Sequence, residues 1–311
     1  MDLILTVSRT EWVVFGVIVL GMLAIDLAVF NRRAHEIRIK EALGWSVVWI
    51  AVSLLFNGYV WLRHGGEAAT LFFTAYVVEK ALSVDNLFVF LAIFTFFQIG
   101  LRHQHRVLFY GVIGALVMRA LFIAGGTALL HRFDWVMYVF GAILIYTGVR
   151  IGSHAEGPMD PGESKIVRFI MKHMRVTNDL QSEHFFVREK GTLMMTKLFL
   201  TLIVIEFMDV LFAFDSVPAV LGISSSSFIV YTSNAFAVLG LRALYFVVAA
   251  GMARLRYLNV GLAAILVFIG LKMIVHRWVA VPTLLSLAVI ALILTGAIVL
   301  SVLANKKEAR K

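Results

Sequence analysis

Long apolar runs alternate with short polar, mostly basic stretches along the whole chain. The runs fall at about 12–30, 42–62, 70–98, 107–130, 134–150, 198–220, 229–252, 257–275 and 282–304. An apolar run of roughly 17–25 residues with few charges has the length of a helix across a bilayer core. The pattern therefore predicts an all-α polytopic membrane protein with about nine transmembrane helices. One longer interval, about 151–197, breaks the alternation. It opens on turn residues (Gly157, Pro158, Asp160, Pro161, Gly162). Next comes KIVRFIMKHMRV (165–176), whose apolar and basic positions recur at helical spacing. This stretch is expected to lie as an amphipathic helix on the inner surface. FFVREKGTLMM (185–195) alternates around Glu189-Lys190-Gly191 and predicts a small hairpin.

Composition agrees with this reading. Of 311 residues 61% are hydrophobic and only 15% charged, with a mean hydropathy of +0.91. A soluble domain carries about 25% charged residues. A water-soluble enzyme, a disordered chain and a fibrous protein are all excluded. The absence of cysteine removes disulfides and thiolate metal sites.

The net charge of +9 suggests nucleic acid only until the charges are placed. Twenty of the 28 basic residues fall in alternate loops and the C-terminal tail. The opposite loops hold only Arg9, Arg63, Arg132 and Arg277. That asymmetry follows the positive-inside rule, so the N-terminus is expected outside and the C-terminus in the cytoplasm. Basic charge is thus a topology signal, the partner it implies is the lipid bilayer, and nucleic acid drops out. The first run has its positive flank after it, so it reads as a span and not a cleaved leader.

Three segments recur in the same order. Glu79 and Asp85 in EKALSVDN match Asp209 and Asp215 in DVLFAFDS, at the same spacing of six. MRALF (118–122) matches LRALY (241–245), which pairs Arg119 with Arg242. AILIYTGVR (142–150) matches AILVFIGLK (264–272). The offsets of 130, 123 and 122 residues are nearly constant. An odd number of spans separates the copies, so the second inserts upside down. Two inverted three-helix repeats are the hallmark of secondary transporters, with the substrate site at the midplane where the copies meet. The expected divisions are 1–69 (two N-terminal spans), 70–151 (first repeat), 152–197 (cytoplasmic loop), 198–275 (second repeat) and 276–311 (last span and basic tail).

Six acids fall inside the runs: Asp26, Glu79, Asp85, Glu206, Asp209 and Asp215. A charge at a span centre costs about 2.5–3.5 kcal/mol on insertion scales, so such groups mark function or pairing. The matched four, with Asn86 and Ser216 behind the second acid of each pair, make a set of hard oxygens. Such oxygens suit Mg²⁺, Ca²⁺ or Mn²⁺. A spacing of six turns a helix by about 240°, so Glu79 and Asp85 do not share a face of a regular helix. Either the helix unwinds locally or the acids point to two sides; Pro218 favours a break near Asp215. Lys80, Arg119 and Arg242 are available as buried partners, which leaves an acidic excess. Glu206, Asn234 and Asp26 are further candidates of the same kind. The nine histidines sit mostly in loops, and no Walker A, GxSxG or HExxH pattern is present. No prosthetic group and no enzymatic reaction are expected.

The stretches EKALSVDNLFVF (79–90), HFFVREKG (184–191), EFMDVLFAFDSVPAV (206–220) and FIVYTSNAFAVLGLRALYF (228–246) resemble the TerC family of bacterial integral membrane proteins, closest to its Alx-type branch. The likeness runs from IDLAVF (25–30) to AILVFIGLKM (264–273). The resemblance implies a multi-pass inner-membrane protein of metal homeostasis, with Mn²⁺ export as its activity and Glu79, Asp85, Asp209 and Asp215 as the residues that carry it. Two departures are visible: Met208 stands where a small or polar residue is expected, and SSSSF (224–228) lacks an acid before FIVYTSN. The expected mechanism moves a divalent cation across a midplane carboxylate site, with protons replacing it on the return step. The alternative is a non-transporting membrane partner protein of metal or tellurite stress, whose buried charges are structural pairs.

Overall fold

The computed structural model describes residues 7–30, 39–125, 135–153, 177, 184–189, 192–252, 257–275, 278–279 and 281–308. These are mostly helical. In chain order they form α1 (Arg9–Phe30), α2 (Ile39–Phe96), α3 (Leu101–Gly125), α4 (Trp135–Ser153), β1 (Phe186–Glu189), β2 (Thr192–Met195), α5 (Lys197–Leu221), α6 (Ser227–Leu239), α7 (Leu241–Met252), α8 (Leu258–Val275) and α9 (Thr283–Glu308). The described residues of each apolar run are helical almost throughout, with 42–62 and 70–98 both on α2 and 229–252 shared by α6 and α7. By length and apolarity alone, Arg9–Ala28, Leu101–Ala124 and Ser227–Ala250 are able to cross a bilayer.

Local chemistry explains the boundaries. The α1 helix opens on a capping box: Ser8 N–H donates to Glu11 Oε2 at 2.7 Å, and Glu11 N–H to Ser8 Oγ at 3.4 Å. The runs 42–62 and 70–98 are one continuous element, broken only at Gly65 (φ 84, ψ 177). A glycine adopts that conformation without the penalty a Cβ brings. Beyond Gly65 the helix passes through Glu79 and Asp85 without unwinding. The α5 helix likewise runs through Asp209, Asp215 and Pro218. Of the two options for the acids, local unwinding is therefore not the one adopted. The amphipathic stretch 165–176 lies outside the described residues.

The chain gathers into two compact units. The first holds residues 1–87, 112–137 and 209–252. Its core is aromatic, built by Phe15 of α1, Phe56 and Phe72 of α2, and Phe228 and Phe236 of α6. Phe56 and Phe236 approach to 4.8 Å between ring centroids. Outside this core Val13, Val17, Leu20, Val47, Leu55 and Leu62 stand exposed. In water such an apolar surface would be an association site; in a bilayer it is the lipid face.

The second unit holds residues 88–111, 138–208 and 253–311. Here β1 and β2 pair antiparallel, Phe186 opposite Met195 and Glu189 opposite Thr192. Phe186 packs on Phe199 of α5 at 4.5 Å. The same unit contains a close crossing of α4 and α8. A Cβ on Gly141 would lie 2.7 Å from the Gly270 carbonyl, and one on Gly148 2.7 Å from the Ala263 carbonyl. The helices are antiparallel there, since rising numbers on α4 meet falling numbers on α8. Adding the repeat offset of 122 carries Gly141 to Ala263 and Gly148 to Gly270. The two contacts therefore exchange with each other, as contacts across a twofold axis do.

Candidate functional site

Four helices of the first unit bring buried polar side chains to one guanidinium. Arg119 comes from the C-terminal third of α3, where its side chain is 1% exposed. Its Nη1 donates to Glu79 Oε1 of α2. Its other edge grips Asp209 of α5 in a two-pronged contact, Nη2 to Oδ1 at 3.2 Å and Nε to Oδ2 at 3.3 Å. Nη1 also donates to Asn234 Oδ1 of α6 at 3.1 Å and to Ser216 Oγ of α5 at 3.4 Å. A planar fork with five donors is the side chain suited to hold two carboxylates at once. The assembly counts two carboxylates against one guanidinium, which leaves one negative charge away from water.

The satisfaction of this centre is incomplete. Glu79 Oε2, Ser83 Oγ and Asn234 Nδ2 are buried and have no hydrogen-bond partner. Glu79 and Ser83 lie one turn apart on α2, so two idle oxygens stand on one helix face. A buried polar group without a partner costs free energy and calls for an explanation.

The remaining candidates fall as follows. Asp85 and Asn86 are buried on α2, Asp85 rotated away from Glu79 by the helix. Asp215 lies within α5, but its side chain is outside the described residues. Glu206 is half-buried and falls in the second unit, where its Oε1 would lie 3.8 Å from a Cβ on Gly111. Arg242 of α7 meets Asp26 of α1, Nη2 to Oδ1 at 2.6 Å. Lys80 donates to the Ala237 carbonyl at 3.1 Å, at the end of α6 where Gly240 separates it from α7. Among the described residues no three acidic or histidine side chains stand close enough to share a metal ion.

Arg119 contacts Glu79 and Asp209, and Arg242 contacts Asp26. Asn234, for which the sequence suggests no partner, faces Arg119. A contact with no counterpart in the sequence reading joins His64 to Glu11, Nε2 to Oε1 at 2.7 Å. The Ser8–Glu11 cap spacing that places this acid was legible in the sequence.

The family model described as "Integral membrane protein TerC family" matches residues 64–309. A Salmonella typhi relative named "Putative membrane-bound redox modulator Alx" is 44% identical over 309 residues, covering 96% of each chain. The Escherichia coli strain K12 protein of the same name is 43% identical over 309 residues, again 96% of each. A Myxococcus xanthus relative, "Uncharacterized membrane protein STKORF319", is 43% identical over 295 residues, 95% of this chain and 92% of its own. No solved structure matches the chain.

Proposed function

The chain belongs to the TerC family of integral membrane proteins, and from that premise we propose that it is a secondary transporter that exports a divalent cation, Mn²⁺ foremost, from the cytoplasm. The observation that carries the reading is the convergence of Glu79 and Asp209, acids at matched repeat positions, on one buried centre with the neutral oxygens of Ser216 and Asn234. A hard dication is bound by oxygens of this kind. In the proposed architecture nine spans hold two inverted three-helix repeats in a bacterial inner membrane, N-terminus outside. The exchange of the Gly141–Gly270 and Gly148–Ala263 contacts under the repeat offset supports the inversion. Asp85 and Asn86 of α2 and Asp215 of α5 are further candidate ligands by residue type. The name of the Alx relatives points to redox. Without cysteine no thiol–disulfide chemistry is open to this chain, so a redox effect would run through the cation it moves.

A second reading has its own support. The contacts of Arg119 with Glu79 and Asp209, and of Arg242 with Asp26, are those of a membrane scaffold with structural ion pairs. Uptake of Mn²⁺ into everted membrane vesicles separates the two. Glu79→Gln and Asp209→Asn are expected to abolish uptake at unchanged protein level. Wild-type vesicles that take up no more Mn²⁺ than membranes lacking the chain would establish the scaffold instead.

A further inference from the structure

We propose that Arg119 is a tethered counter-cation: in the empty carrier it occupies Glu79 and Asp209 in place of the transported ion, and ion and guanidinium hold these carboxylates by turns. This inference rests on the export reading. Its starting point is charge. A carrier that releases a dication from two buried carboxylates is left with two uncompensated negative charges in a poorly solvating interior, which disfavours reorientation. Protons are one source of replacement charge, and the acid cluster in the sequence suggests them. The structure supplies another, already in place and unable to diffuse away.

Three observations point to it. Arg119 is fully buried and contacts side chains from α2, α5 and α6, so it sits at the centre of the set and not at its rim. The guanidinium contacts both carboxylates, Glu79 and Asp209, so a dication must displace it to use them together. The fit is also partial. Glu79 Oε2, Ser83 Oγ and Asn234 Nδ2 have no partner, as expected of a site that also accommodates something else.

The carboxylates, guanidinium and ion together carry one negative charge in the empty state and one positive charge in the loaded state. Glu79, Asp209 and Arg119 together carry one negative charge; with a dication on the carboxylates and the guanidinium withdrawn, the carboxylates and ion are neutral. Either form avoids the doubly negative one. The carrier can then return empty, without an obligatory counter-ion on these two acids. Deleting the guanidinium removes that route and confines the carrier to returning loaded.

The test uses the full chain in proteoliposomes with radioactive Mn²⁺ as the probe. Wild type is expected to catalyse both net uptake and exchange of internal for external Mn²⁺. Arg119→Gln is expected to lose net uptake while retaining exchange. Its equilibrium Mn²⁺ binding should tighten by about tenfold or more, because apparent affinity is reduced by whatever fraction of the protein is held in a competing state. Arg119→Lys, which restores a tethered charge, should recover part of the net flux. A purely structural arginine would not separate net flux from exchange. Arg119→Gln with wild-type net uptake, or with binding no tighter than wild type, overturns the inference. Should that variant fail to fold, wild type decides: a pH-sensitive dye in the lumen that reports two protons countertransported per Mn²⁺ shows that protons neutralise the acids, and the inference falls. A wild-type protein that neither binds nor moves any divalent ion is a different result, because it removes the export reading itself.

Discussion

The pair Arg242–Asp26 shows what a buried charge is worth apart from transport. Arg242 is almost wholly buried and donates to both the side chain and the carbonyl of Asp26. Removing one partner of a buried pair leaves the other uncompensated, at about 3–5 kcal/mol, whereas replacing both with apolar residues is often neutral. Arg242→Met alone should therefore lower thermal stability in detergent steeply, and Arg242→Met with Asp26→Leu should restore most of it. A double variant as unstable as the single would show that the pair does not act as a unit. Residue chemistry of this kind was only half legible. The excess of buried acids over buried bases is plain in the sequence, and so is the kinship of Arg119 with Arg242. Which acid each arginine meets depends on helix rotation and depth, which packing sets. That is why Arg119 could be suspected as a partner but not located at the centre of the matched acids.

Helices were easier to read than their joints. Among the described residues every apolar run corresponds to helix, since twenty apolar residues leave the backbone few other ways to satisfy its hydrogen bonds in lipid. The joint between 42–62 and 70–98 reads as a short loop, yet it is a single glycine with positive φ inside α2. The crossing of α4 on α8 was signalled only indirectly, by glycines inside the repeated AILIYTGVR and AILVFIGLK segments. Small residues let membrane helices approach closely, and packing drives their association. At Gly270 a Cβ would lie 2.6 Å from the Gly141 carbonyl and 3.1 Å from Ile145 N, both backbone atoms that cannot swing aside. Gly270→Val is expected to force α4 and α8 apart and cost at least the ~1–3 kcal/mol typical of overpacking. Gly16 of α1 has nothing within 4 Å of the same position. Gly16→Ala should be neutral or stabilising by up to about 1 kcal/mol through helix propensity alone. Thermal unfolding of the two variants side by side measures the difference, and equal destabilisation would contradict the close crossing.

At the scale of the whole molecule, orientation ties the charge pattern to direction of transport. The proposed arrangement places the Gly65 break of α2, with Glu67 beside it, outside and the hairpin with Arg188 inside, on the strength of the basic residues flanking alternate runs. Both side chains are exposed, and because the chain has no cysteine a single introduced thiol is an unambiguous reporter. A membrane-impermeant maleimide should label Glu67→Cys in intact spheroplasts and leave Arg188→Cys unlabelled; in everted vesicles the pattern should reverse. Three apolar runs, 70–98, 107–130 and 134–150, lie between the two positions. Labelling on opposite sides therefore requires an odd number of crossings between Glu67 and Arg188. That odd number is also what turns the second repeat upside down relative to the first. Labelling of both thiols from the same side would remove the inversion, and with it the reason to bring Glu79 and Asp209 together as equivalent halves of one ion site.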